Sequence, residues 1–304
     1  MSHIDYEELK KEDYYHEYIR SRERIEKKLE TCFLEPAPQR RLLEAIRYSL
    51  LAGGKRLRPV MQQKFCRAAG GQAKYSIPMA CAIEMVHVYS MIHDDLPCMD
   101  DDDLRHGKPT LHKAYNDYIA LLAGDALQAA AFEMMMQSEL EPSILVACAR
   151  ELAHGIGEMG LAGGQYLDMT SKHRRMTLQQ LTNIYERKSA ALLKSACCMG
   201  VLAAGCPVHS EQFVAARSYA AAVGMAFQIR DDILDVTATE EDLGKTTHSD
   251  EKNEQTTFVT LFGLEECQRL VEQYTDRAKK VVSNCFEEPG FLIWLADKMA
   301  ERPL

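Results

Sequence analysis

The chain has 304 residues, 46% hydrophobic and 27% charged, which is ample material for a packed core and too apolar for a disordered chain. Its 36 Lys and Arg against 45 Asp and Glu give a net charge of −9, which argues against a general nucleic-acid binder, because such proteins carry a basic face. No apolar run approaches the roughly 18 residues of a membrane span. The opening MSHIDYEELKKEDYY has no apolar signal core, so a cytoplasmic protein is expected.

In chain order, residues 5–31 are charged and periodic and predict a surface helix. Leu42, Leu43, Ile46, Leu50 and Leu51 recur at helical spacing. Two glycines then open GGKRLRP, with Lys55, Arg56 and Arg58 ahead of Pro59, a residue suited to a first helical turn. Pro78 likewise opens an apolar run over 79–96. Ala-rich segments over 119–136, 144–162, 189–204 and 213–234 hold strong helix formers. Breaks are expected at Gly53–Gly54, Gly70–Gly71, Pro97, 107–109, Gly163–Gly164, 205–207 and Pro289–Gly290. The polar stretch 237–255 predicts a mobile loop. Period-2 alternation of β-branched residues is missing, and no Pro- or Ser-rich linker divides the chain. The expectation is an all-α fold, a single large helical bundle in one domain. Ten cysteines without a C-x-x-C pair read as reduced thiols, with Cys98 set apart only by its place inside an acidic cluster.

That cluster, HDDLPCMDDDDLRHGKPT, holds Asp94, Asp95 and Asp100 to Asp103. A second, QIRDDILD, holds Asp231, Asp232 and Asp235. On a helix Asp231 and Asp235 project about 40° apart, with Gln228 on the same face. Asp94 and Asp100 would diverge on a straight helix, but Pro97 disfavours a helical Leu96 and lets the chain bend Asp100 back beside Asp94. Both clusters lie within apolar sequence, where uncompensated charge is expensive, so hard divalent cations are the expected compensation. An EF-hand is excluded, since Arg105 stands where that loop needs Gly. Cations accompany the acids. Lys55, Arg56 and Arg58 form one group, Arg105, His106 and Lys108 a second, with Lys188 and Lys245 beyond. His87 shares the face of Asp94. Acid and base together suggest a polyanion bridged by Mg²⁺, and no nucleotide-binding glycine motif occurs.

With these motifs on view, the chain resembles the trans-polyprenyl diphosphate synthases, closest to the bacterial farnesyl diphosphate synthases. The similarity runs from GGKRLRP through HDDLPCMDDDD, GGQYLD and ERKSAAL to FQIRDDILD and DLGK. It implies one polyprenyl synthase domain over 1–304, helices around a deep central cavity, a homodimer and about three bound Mg²⁺ ions, with Mn²⁺ as a substitute. It implies that Asp94, Asp100 and Asp231 are metal ligands, supported by Asp95 and Asp235. Arg105, Lys188, Gln228 and Lys245 correspond to contacts with the allylic diphosphate. Lys55, Arg58 and His87 correspond to the isopentenyl diphosphate site. Ser189 stands where many members have Thr, and Gln165 and Asp168 match an element near the reacting centre. Members usually read Arg-Arg-Gly where this chain has Arg105-His106-Gly107. His106 titrates near pH 6.5 unless shifted, so weaker anchoring of isopentenyl diphosphate at alkaline pH is expected.

The implied reaction is head-to-tail prenyl transfer with dimethylallyl and then geranyl diphosphate. Tyr89, about one helical turn deeper than Asp94, would block a growing chain and favour a C15 product. Alternatives are a geranyl or geranylgeranyl diphosphate synthase, and a non-catalytic subunit regulating a synthase. A class I terpene cyclase would not need Lys55, Arg58 and His87.

Overall fold

The computed structural model describes residues 6–105, 107–172, 174–237 and 256–301. His106, Lys245 and nearly all of the expected loop 237–255 lie outside the described residues.

Helices dominate. The first three are α1 (Tyr6–Glu30), α2 (Arg40–Leu50) and α3 (Leu57–Ala68), followed by α4 (Ile77–Asp94), the short α5 (Leu111–Ala114) and α6 (Asp117–Met135). Next come α7 (Pro142–Ile156), α8 (Leu161–Ser171), α9 (Leu178–Ile184), α10 (Ala190–Ala203) and α11 (Glu211–Thr237). The series closes with α12 (Phe258–Phe262), α13 (Leu264–Cys285) and α14 (Gly290–Glu301). The expected helical bundle is therefore observed, with one addition. A two-residue antiparallel hairpin pairs Leu104 with Pro109 and Arg105 with Lys108, too short for any alternation to announce it.

Two helices form the interior. In α4, Pro78 sits in the first turn, where its missing N–H costs nothing, and the apolar run behind it is buried on nearly every side. Helix α10 is buried along almost its whole length and packs on α3, α7 and α11, while α4 packs on α3 and α6. Gly200 permits the α3 contact: a Cβ there would stand 2.3 Å from the Gln62 carbonyl oxygen. The main apolar core surrounds α4 and α10, and a smaller one joins Leu181, Ile229, Ile233 and Phe258.

One expected break falls elsewhere. The segment 144–162 is interrupted after Ile156 by a turn whose Gly160 N–H donates to the Gly157 carbonyl. Gly163 and Gly164 do not break the chain but lie inside α8. Gly164 is there for close approach, since a Cβ would stand 2.2 Å from the Lys188 backbone nitrogen.

Candidate active site

The first acidic set is built by the end of α4. Helix geometry stops at Asp94, and ahead of Pro97 the chain curls back, so that the Asp100 N–H donates to the Asp94 carbonyl at 2.9 Å. The bend expected at Pro97 is thus present, and Asp100 returns to Asp94. Around this turn the carboxylates meet cations. Arg105 forks onto Asp95, with Nε 2.8 Å and 3.1 Å from its two oxygens, and reaches Asp102 at 3.1 Å. Lys172, at the end of α8, donates to Asp100 at 2.8 Å.

The link to the second set is a wide turn of helix. Residues Tyr185–Ser189 form a π-helical segment between α9 and α10, a distortion that often marks functional sites. Lys188 donates to Asp168 at 2.6 Å and stands 3.9 Å from Asp94. Its neighbour Ser189 donates to Gln228 Oε1 at 2.7 Å, and Gln228 lies on α11 one turn before Asp231. Asp168, Lys172, Lys188, Ser189 and Gln228 therefore line one cavity of ≈ 200 Å³, together with Tyr185 and Asp232. Asp232 has a supporting role: it accepts the Tyr185 hydroxyl at 2.8 Å and the Phe258 N–H at 2.8 Å, tying α11 to its neighbours.

The cations of GGKRLRP part company. Arg56 adopts a left-handed backbone, φ 52, and turns inward, donating to Glu84 at 2.5 Å and to the Leu50 carbonyl at 2.9 Å. Lys55 on one side is exposed. Arg58 on the other has Nη1 3.3 Å from His87 Nε2. Desolvation pulls the Arg58 pKa down, while the charges of Glu84 and Asp231 oppose this, so Arg58 feels the second acidic set. Gln165 is buried, and neither of its amide atoms has a hydrogen-bond partner among the described residues. Tyr89 is buried in α4 with its ring edge-on to His93 at 5.8 Å. Asp235 is buried and Asp231 half-buried. Cys98 is exposed.

Burial pushes the Asp94 carboxyl up to about 6; Lys188 opposes this and Asp100 adds to it. Burial works against the Lys188 charge, but Asp94, Asp168 and Asp100 outweigh it and raise the pKa. Between the ordinary carboxylate value and about 6, the folded state holds more protons at Asp94 than the unfolded chain does. That group's contribution to stability therefore falls as pH rises through the window. Asp94→Asn carries no charge and is expected to raise the Tm of the metal-free protein by a few degrees above about pH 7. Calorimetric scans should show the gain shrinking toward zero as pH falls toward about 4; a gain indifferent to pH would rule out the desolvated charge as its cause.

Among the described residues no three carboxylate, His or Cys side chains converge closely enough to hold a metal ion alone. Mg²⁺ does not require that, because it keeps several waters and takes one or two carboxylates plus phosphate oxygens. The half-buried Asp94 and Asp100 offer such an ion hard oxygens, and burial together with the nearby Asp100 charge already disfavours the charged form of Asp94. Sequence reasoning missed Lys172, Glu84 and Tyr185. Lys172 had a signal: it follows Asp168 by four residues, one helical turn on the same face.

The chain is similar to known proteins over most of its length. The family model described as polyprenyl synthetase matches residues 39–288. The chain is 40% identical over 264 residues to a farnesyl diphosphate synthase of Bacillus subtilis, covering 86% of this chain and 88% of that one. It is 44% identical, also over 264 residues, to a chloroplastic geranylgeranyl pyrophosphate synthase of Capsicum annuum, covering 85% and 71%. A solved geranyltransferase from Helicobacter pylori, in complex with magnesium and isoprenyl diphosphate, superposes with a TM-score of 0.81 at 32% identity, covering 95% of this chain and 96% of that one.

Proposed function

We infer the reaction from one premise: the chain belongs to the polyprenyl synthetase family and is a trans-prenyl diphosphate synthase. We propose that it condenses isopentenyl diphosphate with dimethylallyl and then geranyl diphosphate, giving farnesyl diphosphate and releasing inorganic diphosphate. The observation that carries this reading is the adjacent pair Lys188 and Ser189. One stands 3.9 Å from Asp94 and the other donates to Gln228, so a single turn beside the cavity links the first acidic set to the helix that carries the second.

Asp94, Asp95 and Asp100, with Asp231 and Asp235, would hold the divalent ions, Mg²⁺ or in its place Mn²⁺. When bound, those ions supply positive charge against the leaving diphosphate. Lys188 and Arg105 exchange carboxylate for phosphate oxygens and, with Lys245, stabilise charge that builds as the allylic C–O bond breaks. The departing electron pair stays on the diphosphate and leaves an allylic cation. Gln228, the Ser189 hydroxyl and the carbonyls of the π-helical turn face that cation with negative dipoles. Lys55, Arg58 and His87, with His106, hold isopentenyl diphosphate so that its double bond attacks the allylic carbon. A proton then leaves the new C–C unit for the released diphosphate. Gln165 and Asp168 help seat the reacting centre, Asp168 through Lys188.

Tyr89 would favour C15 over C20: its ring is buried on α4, five residues ahead of Asp94, from where its bulk would stop a lengthening chain. We read the whole chain as one catalytic domain that acts as a cytoplasmic homodimer. Among the described residues no helix is long and apolar enough to cross a membrane. Incubating purified protein with dimethylallyl and isopentenyl diphosphates and Mg²⁺, then sizing the dephosphorylated alcohols, tests the proposal. A C15 alcohol is expected; C10 or C20 would overturn the product, and no alcohol at all would overturn catalysis by this chain alone.

A further inference from the structure

Lys172 has no part in the reaction as described so far, yet, just past the end of α8, it pairs with Asp100 of the first acidic set. Its Nζ lies 2.8 Å from Asp100 Oδ1 and 3.2 Å from the Met99 carbonyl oxygen. The position follows from the end of α8. Lys172 is the residue after the last helical turn, with φ −53 and ψ 135, so the chain leaves the helix there, and Lys172 lines the cavity edge while its ammonium meets Asp100. Asp168, one turn earlier on the same face, meets Lys188. Helix α8 thus offers an acid to the lysine of the π-helical turn and a lysine to the acid beyond α4. Both partners of the Lys172 pair are about one quarter exposed, 27% and 28%, so the pair is open enough to exchange and shielded enough to matter.

We propose that Lys172 is a displaceable counter-cation for Asp100, so that a divalent ion enters at Asp100 only by exchanging with the ammonium group. The inference rests on the diphosphate synthase reading, in which Asp100 is a metal ligand. An ammonium and a divalent ion compete for the same carboxylate oxygen, and the ion must bring enough extra binding to win. A diphosphate supplies it twice, by adding oxygens to the metal and by giving the displaced ammonium a new anionic partner within the same cavity. Lys172 therefore makes metal binding at this carboxylate depend on the diphosphate arriving with it.

Mn²⁺ binding to the full chain, read by electron paramagnetic resonance with and without inorganic pyrophosphate, tests this apart from turnover. Lys172→Met keeps the length of the stem and removes the charge. It is expected to bind Mn²⁺ alone about two- to fivefold more tightly than the wild type, the scale of a partly exposed ion pair. Its gain in Mn²⁺ affinity from pyrophosphate should be smaller than the wild-type gain. Lys172→Arg, which keeps the charge, should follow the wild type. Circular dichroism confirms folding, and Lys172→Gln stands in if the methionine variant is unstable. Equal Mn²⁺ affinities for wild type and the uncharged variants would overturn the proposal while leaving the synthase reading intact. A wild type whose Mn²⁺ affinity does not respond to pyrophosphate would overturn both.

Discussion

Replacing Lys188 with Ala is expected to lower kcat by about 10²–10³-fold, the cost of removing one positioned donor from a developing oxyanion. The lysine stands 2.6 Å from Asp168 and 3.9 Å from Asp94, and its charged form is favoured there by those acids. A permanently charged amine held at that point is poised to move onto a diphosphate oxygen. Because the interaction strengthens as the C–O bond breaks, the loss should fall on kcat more than on KM. Lys188→Arg should recover part of the rate. Steady-state kinetics with saturating isopentenyl diphosphate decides the matter: a kcat within about threefold of wild type would remove Lys188 from the leaving-group machinery.

A second large effect is a change of product. Tyr89→Ala is expected to shift the main product from C15 to C20 or longer, read by sizing the dephosphorylated alcohols. Tyr89 precedes Asp94 by five residues, which places it about 7.5 Å deeper along α4. Its ring is buried against His93, and burial together with the Asp94 charge pushes its hydroxyl up to about 12, so it serves as bulk and not as an acid. Tyr89→Phe should therefore keep the C15 product. If the alanine variant folds, as thermal scans would show, and still stops at C15, another side chain sets the length. The comparison matters because relatives named for C15 and C20 products match this chain at similar identity.

Much of this arrangement was legible before any coordinates. Helical periodicity located α4, α10 and α11, and the logic of Pro97 placed Asp100 back beside Asp94. Facial geometry put Gln228 with Asp231, and the Ser189 contact with Gln228 ties that face to the cavity. Other features left no local trace. Gly163 and Gly164 read as a break because glycine usually is one; in fact Gly164 admits the Lys188 backbone, a tertiary requirement that no periodicity encodes. The π-helical turn at Tyr185–Ser189 packs on α8 and α11, and its residues are ordinary helix formers that give no local sign of it. Arg56 looked like one more substrate cation in GGKRLRP. Only its left-handed backbone and its pairing with buried Glu84 identify it as an anchor between the loop that carries Lys55 and the start of α3, where Arg58 stands. Lys172 could have been found from its one-turn spacing after Asp168, but its partner lies 72 positions away in sequence.

Whether the two acidic sets grip one diphosphate is best measured by a double-mutant cycle on Asp94 and Asp231. Calorimetry of Mg²⁺–pyrophosphate binding to the wild type, Asp94→Asn, Asp231→Asn and the double variant gives the four affinities. Shared ions predict that each single variant loses most of the binding and that the double variant loses far less than the sum. Losses that simply add, or a single variant that binds as the wild type does, would contradict a common metal-bridged site.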